Sequence, residues 1–530
     1  MPKAVLRYDR GTIVIEGLAH IPFATRDPRI NALRAQALYY PNIVGYLKQS
    51  GIEYDDRVFF SDAVMMTLPL DRHYNNDNNN NDLSPSRPSA SPPSPLPPLL
   101  SLRDYQQKAF DSWVNAGLRG CVVLPTGSGK TLVGVKAIEK ANAASLVVVP
   151  TLDLVDQWTA VLSKYFVVAA AATGATIKKK IGNLGGGSED IQPITVSTYD
   201  SAYLRAAFLG NKFTLVVFDE VHHLAAPGYR TIAEQMAAPF RLGLTATIER
   251  EDYLHRDLPR LVGDVVFQVS PDALARQKHL ARYEVERRRV ELLPEELAEY
   301  RACMQRYHEC LNRLGGIGTT TTYYTISLEK LIMMSGRNPL AREALLARNR
   351  ATNVALNSKS KLEELKEILA ENKGAKTIIF TQHNNMVYEI SNRFLIPFIT
   401  HKTGKDERQD VLRGFKEGRY MAIVTSKVLD EGVDVPDAEL GIIVSGTGSA
   451  REFIQRLGRL LRPKLGGLGS KGDDDNDNSR SKKARLIEIV SSATREETIT
   501  SAKRKRALKR IQENHDDDTA KKEVYDDSVC

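Results

Sequence analysis

Eight consecutive residues carry the clearest chemistry in this chain: Leu124-Pro125-Thr126-Gly127-Ser128-Gly129-Lys130-Thr131, set between an apolar strand pattern and a helical run. Glycines let a backbone wrap closely round a phosphate, and the N-terminus of the helix that follows offers unpaired N–H donors. Lys130 is placed to neutralise β/γ-phosphate charge, and the Thr131 hydroxyl to ligate Mg²⁺. The strict phosphate-loop pattern wants glycine where Leu124 stands. A chance glycine-rich turn is nonetheless a poor account once strand, loop, Lys-Thr and helix coincide.

A second strand pattern ends in Val217-Phe218-Asp219-Glu220-Val221-His222-His223. Two acids at the carboxyl end of a buried strand can face the same phosphates. Asp219 would hold Mg²⁺, directly or through water, and Glu220 would orient and deprotonate an attacking water. The histidine pair invites a metal-site reading, but no second ligand cluster lies nearby in sequence, so a coupling or structural role is favoured. Positive charge on the far side of a γ-phosphate is supplied by Gln455-Arg456-Leu457-Gly458-Arg459-Leu460-Leu461-Arg462. A helix there puts Arg459 and Arg462 on one face at i, i+3. A solvated basic helix is the plainer reading of the segment alone; it loses because the site otherwise lacks that cation.

The elements that must position these groups follow from the pattern. Short, continuously apolar strands at Cys121–Leu124, Leu146–Val149, Ile194–Ser197, Leu215–Phe218 and Arg241–Leu244 alternate with helices, which suits a parallel sheet covered on both faces. The rhythm lapses between Leu293 and Asn357, which is helix-rich, and resumes at Thr377–Phe380, Met421–Val424, Gly441–Val444 and Leu486–Val490. Before all this, Val5–Tyr8 and Thr12–Ile15 flank an Asp-Arg-Gly turn and predict a hairpin, followed by a helix from Arg29 to Lys48. An Asn-rich, then Pro/Ser-rich stretch from Asn75 to Pro98 cannot bury enough surface to order itself and reads as a linker. The fold expected is α/β: two RecA-like parallel-sheet domains with a helical insertion, plus a small N-terminal α+β domain. The boundaries drawn are 1–72 (N-terminal domain), 73–100 (linker), 101–285 (first α/β domain), 286–357 (helical insertion), 358–495 (second α/β domain) and 496–530 (polar tail).

Bulk properties limit the classes. A chain of 530 residues exceeds what one core serves, and no apolar run approaches the ~18 residues needed to span a bilayer. The four cysteines, Cys121, Cys303, Cys310 and Cys530, form no C-x-x-C pair, which argues against a zinc ribbon or a disulfide framework. An intracellular location, cytoplasmic and nucleoid-associated, with no membrane partner, is the expectation. A net charge of +8 permits a polyanionic partner without requiring one.

The order of motifs resembles superfamily 2 helicases. Leu102-Arg103-Asp104-Tyr105-Gln106 is similar to the adenine-reading Q motif, Pro125–Thr131 to Walker A, Asp219–His222 to a DExH-type Walker B, and Leu244-Thr245-Ala246-Thr247 to motif III. Gly432-Val433-Asp434-Val435-Pro436 is similar to motif V and Gln455–Arg462 to motif VI. Arg250-Glu251-Asp252 resembles the RED motif of the XPB family, and the N-terminal segment around Tyr8–Val14 resembles the damage-recognition domain of its archaeal members. The helical insertion resembles their thumb.

The resemblance implies ATP and Mg²⁺ as cofactors, with Arg103, Gln106, Pro125, Thr126, Gly127, Ser128, Gly129, Lys130, Thr131, Gly432, Asp434 and Gln455 around the nucleotide. It implies DNA contacts from Thr151, Ser197, Thr198, Arg250, Glu251, Asp252, Thr381 and Ser426, and coupling through His222, Thr245 and Thr247. The activity implied is ATP-dependent 3′→5′ unwinding or translocation on duplex, forked or damaged DNA, in nucleotide excision repair or transcription-linked opening, with a nuclease partner. Two other readings stand beside it: an ATP-switched scaffold that binds damaged DNA and recruits a nuclease, and the motor of a restriction-type complex. The long linker argues against rigid coupling between the N-terminal and motor domains. A polar insertion at Gly466–Lys483 is expected to loop into solvent.

Overall fold

The computed structural model describes residues 4–59, 102–172, 181–250, 252–270, 273–274, 283–314, 326–426, 438–445 and 484–500. They fall into two compact units: Met1–Leu124 with Gly129–Gln268, and Pro125–Ser128 with Val269–Cys530.

The first unit holds two sheets. The hairpin expected at the N-terminus forms as Ala4–Asp9 and Thr12–Glu16, paired antiparallel. The helix expected from Arg29 does not begin there. Ala32–Gln36 is instead a strand between Thr12–Glu16 and Ala24–Asp27, and the helix runs Tyr40–Gln49. Its sequence, Ala-Leu-Arg-Ala-Gln, favours a helix locally, but two flanking strands offer its backbone a ladder on each side and outweigh propensity.

The second sheet of this unit has eight strands, in the spatial order Val265–Gln268, Arg119–Val123, Phe240–Thr245, Leu215–Asp219, Ser145–Val149, Ile194–Thr198, Gly182–Gly185, Ser188–Glu189. All five strands expected from sequence are present. Their pairings with one another are parallel, so their carboxyl ends lie along one edge, where ligands of open α/β sheets bind. The strand leading into the phosphate loop, the strand ending at Thr245 and the strand ending at Asp219 are immediate neighbours.

Despite the long linker, the N-terminal module is seated on this sheet domain within the same unit. The Tyr8 hydroxyl lies 2.8 Å from the Ala207 carbonyl and 3.0 Å from that of Gln235, and Asn211 Nδ2 donates to the Val58 carbonyl at 2.9 Å. Burial pushes the Tyr8 phenol up to about 12. A Cβ at Gly210 would meet the Tyr8 hydroxyl at 1.9 Å, so only glycine permits this approach. Coupling that the linker argued against comes from these contacts in space.

In the second unit six strands form a parallel sheet in the order Tyr283–Val290, Ala484–Ser491, Leu440–Ile443, Thr377–Phe380, Ala422–Thr425, Phe398–Ile399. The boundary drawn at 285/286 therefore runs through a strand: Tyr283–Val290 pairs along its whole length with Ala484–Ser491. The helical insertion forms as Pro294–Leu314, Leu328–Ser335 and Pro339–Leu356. It is tied to the sheet by Ser491 Oγ donating to the Ala355 carbonyl at 2.7 Å. The tail drawn from 496 does not start free. Glu496 is buried and takes both carboxylate contacts from fully buried Lys361 at 2.8 Å.

Candidate nucleotide site

The site is built on the three neighbouring strand ends. The backbone leaves the sheet at Leu124, whose N–H donates to the Thr245 carbonyl at 2.9 Å. Gly127 and Gly129 take φ of 82° and 80°, a left-handed backbone that glycine adopts without strain, and turn the loop into the helix Lys130–Ala141. The Gly129 carbonyl accepts from Gln106 Nε2 at 3.3 Å, while Gln106 Oε1 accepts from the Arg103 N–H at 2.9 Å. Gln106, expected to read adenine, is buried, and these two bonds brace the loop against the start of the helix Asp104–Asn115. Ser128 donates to the Pro125 carbonyl at 2.6 Å, and Thr126 Oγ1 is a buried hydroxyl with no partner among the described residues.

Lys130 reaches back over the loop, its Nζ 3.3 Å from the Leu124 carbonyl and 3.7 Å from Glu220 Oε1. Asp219, 6 % exposed, ends the buried strand Leu215–Asp219. Burial first, and the charge of Glu220 second, hold its carboxyl well above the usual carboxylate range. A desolvated carboxylate of this kind gains from a cation. This carboxylate and the Thr131 hydroxyl are hard oxygens of the kind Mg²⁺ takes, so the chemistry of these residues fits the ion. Glu220 has φ of 47°, an uncommon conformation for a side chain with a Cβ, which re-aims it as the strand ends.

Behind the acids lies a hydrogen-bonded cluster. Thr245 Oγ1 is 3.1 Å from His222 Nδ1, 3.3 Å from Glu220 Oε2 and 2.8 Å from the Thr247 carbonyl. One hydroxyl proton serves one acceptor at a time, so Thr245 can switch partners without moving its backbone. His222 is fully buried in this network.

The expected DNA contacts are placed less simply. Arg250 donates through Nη1 to the His222 carbonyl at 2.8 Å and forks onto Asp252 at 2.9 and 2.6 Å, so its guanidinium is already committed to its own chain. Ser197, Thr381 and Ser426 are buried, the first two with hydroxyls turned onto backbone at 3.0 and 3.1 Å. Thr151 and Thr198 receive the N–H groups of Leu154 and Ser201 at 3.4 and 3.2 Å, which caps the helices that follow. Of the insertion's arginines, Arg306 and Arg350 pair with glutamates and Arg348 is half-buried. Glu251, Gly432, Asp434, Gln455, Arg459, Arg462 and the insertion Gly466–Lys483 lie outside the described residues.

Sequence reasoning missed two aromatic partners of Asp219. Trp158 Nε1 donates to Asp219 Oδ2 at 2.8 Å, and the Tyr199 hydroxyl donates to the Asp219 carbonyl at 3.1 Å. Only their nearness in sequence to Thr151 and to Ser197–Thr198 could have drawn attention to them.

Three family models match the chain: the xeroderma pigmentosum group B helicase damage recognition domain over residues 6–58, the type III restriction enzyme res subunit over 99–250, and the helicase conserved C-terminal domain over 360–464. A relative from Sulfurisphaera tokodaii, named DNA 3′-5′ translocase XPB2, is 38% identical over 94% of this chain and 99% of its own length. The Mycobacterium tuberculosis DNA 3′-5′ helicase XPB is 31% identical over 70% of this chain and 59% of its own. The Saccharomyces cerevisiae general transcription and DNA repair factor IIH helicase/translocase subunit XPB/SSL2 is 26% identical over 69% of this chain and 40% of its own.

Proposed function

The chain belongs to the XPB family of superfamily 2 ATP-dependent DNA helicases, and from that premise we propose that it hydrolyses ATP to move 3′→5′ along DNA, opening duplex during repair or transcription. The observation that carries the reading is the convergence of Lys130, Asp219 and Glu220 at adjacent ends of one sheet, with Lys130 Nζ 3.7 Å from Glu220. ATP arriving there replaces Glu220 with phosphate as the partner of Lys130. Glu220, released from that ion pair, is left to orient water and take its proton. Mg²⁺, when bound, neutralises phosphate charge; Asp219 and Thr131 would hold it. The relay at Thr245 then registers which state Glu220 is in and passes it to His222, whose carbonyl holds Arg250. Arg459 and Arg462 complete the cation set on this reading, with Gly432, Asp434 and Gln455 as further nucleotide contacts.

The restriction-type reading has one match in its favour, over residues 99–250. The N-terminal match and the 38% identity across nearly the whole chain outweigh it. The test is strand displacement on 3′-tailed and 5′-tailed duplexes, with ATPase measured alongside. The expected result is displacement of the 3′-tailed substrate, lost with Lys130→Ala. Stimulation of ATPase by RNA and not by DNA would overturn the choice of track. The nuclease partner belongs to the same proposal and is tested by whether added nuclease cuts at the opened junction only in the presence of ATP.

A further inference from the structure

The protein's two tryptophans solve the same problem in different ways. Both are buried, at 0% and 1% exposure, and a buried indole N–H needs an acceptor. Trp113 uses the Arg241 backbone carbonyl at 2.9 Å, an ordinary structural solution. Trp158 instead spends its N–H on Oδ2 of Asp219, at 2.8 Å. The other carboxylate oxygen accepts the Glu220 N–H at 3.0 Å, so the two bonds together set the plane of the carboxylate.

The indole is wedged as well as bonded. A Cβ at Gly134 would lie 2.5 Å from its Cη2, so the helix beginning at Lys130 packs against the ring with no side chain between. Trp158 itself sits two turns into the helix Leu152–Ala172, which Thr151 caps. From the next motif, Tyr199 follows Ser197 and Thr198 directly and pins the Asp219 carbonyl at 3.1 Å. Its ring is packed on Phe218, His223 and Tyr229. Two of this unit's three segments with expected strand contacts thus lead, within about two helical turns, to Asp219.

We propose that Trp158 is a positioning residue for the metal-binding carboxylate, seconded by Tyr199, and that it transmits engagement of the DNA strand at the start of its helix to the ATP site. The proposal rests on the ATP-site reading above. A helix that shifts when its N-terminus meets a phosphate carries the indole with it, and the indole N–H carries Oδ2. DNA would then act on hydrolysis by finishing the alignment of Asp219.

The test uses the full chain carrying Trp158→Phe, with Trp113→Phe as the control that also loses an indole. Mg²⁺ is titrated against binding of a fluorescent, non-hydrolysable ATP analogue, and ATPase is measured with and without a 3′-tailed duplex. Outer partners of metal ligands typically change metal affinity about 10–100-fold. Trp158→Phe is expected to raise half-saturating Mg²⁺ at least about tenfold and to reduce the stimulation by DNA, while Trp113→Phe changes neither. Tyr199→Phe is expected to reduce the stimulation by less. If Trp158→Phe shifts only the thermal midpoint, with Mg²⁺ dependence and stimulation as in the parent, the proposal is overturned. A Mg²⁺ shift with stimulation intact overturns the link to the strand. Should Trp158→Phe not fold, 3-benzothienylalanine at position 158 keeps the ring shape and lacks the donor, and the same outcomes apply. A Glu220→Gln protein that hydrolysed ATP normally would sink the ATP-site reading itself, a result separable from all of these.

Discussion

Arg241 and Arg306 carry the same charge in opposite circumstances. Arg241, in the sheet of the first unit, is 1 % exposed and donates to three backbone carbonyls, Ala238 at 3.1 Å and Leu261 and Met236 at 2.6 Å. Burial drives its ionisation well below the usual arginine range, and Arg119 and Arg260 add like charge. Arg306, on the helical insertion of the second unit, has a side chain 46 % exposed and pairs with Glu309 and Glu343. The buried group cannot be removed without orphaning three carbonyls, whereas water replaces the partners of the exposed one. The lesson extends to the regions around them. Near the nucleotide site Gln106, Asp219, Thr245 and Arg250 are each held by another part of the fold, so substitutions there have specific consequences. On the insertion the exposed ion pairs of Arg306 and Arg350 are of the kind that contributes little to stability.

The contrast can be broken in order of expected effect. Glu220→Gln keeps size and removes the base, so turnover should fall about 10²–10⁴-fold with the thermal midpoint nearly unchanged; a single-turnover assay at saturating ATP checks it. Arg241→Met should cost roughly 3 kcal/mol of stability through its stranded carbonyls, read from denaturant midpoints. A loss no larger than that for Arg306→Ala would erase the comparison.

Asp252→Asn probes an intermediate case. The Arg250 hydrogen bond lowers the Asp252 carboxyl from 3.8 to about 2. A depressed acid stabilises the fold above its ordinary value and ceases to do so as pH falls from there through about 2. Parent and variant should therefore differ modestly at neutral pH and converge between pH 3.8 and about 2, measured as thermal midpoint against pH. Arg306→Ala should change stability by about 1 kcal/mol or less, and by still less in high salt.

Much of the nucleotide site was legible because its chemistry is local in sequence. Gly127, Gly129, Lys130 and Thr131 are consecutive or nearly so, and Asp219-Glu220 ends a strand whose apolar run is visible by itself. The same locality made nine strands of the two larger sheets readable, each to within a residue or two. What was not legible depended on partners distant in sequence. Ala32–Gln36 looks helical until its two neighbours are known, and Tyr283–Val290 belongs to the second sheet because its partner lies about two hundred residues on. Nor does the sequence show that the amide of Gln106 and the hydroxyls of Ser197 and Thr381 bond to backbone, or that Ser426 is buried.

Sequence alone thus determined which groups could meet a phosphate, because loop, strand and helix signals are short-range and glycine, lysine and paired acids have few substitutes in that role. Tertiary structure decided how those groups are held: the indole on Asp219, the hydroxyl shared between Glu220 and His222, the tyrosine that seats the N-terminal module. Those are contacts between elements far apart in the chain. Burial makes each an obligation, since a polar atom withdrawn from water must find a partner wherever the packing brings one.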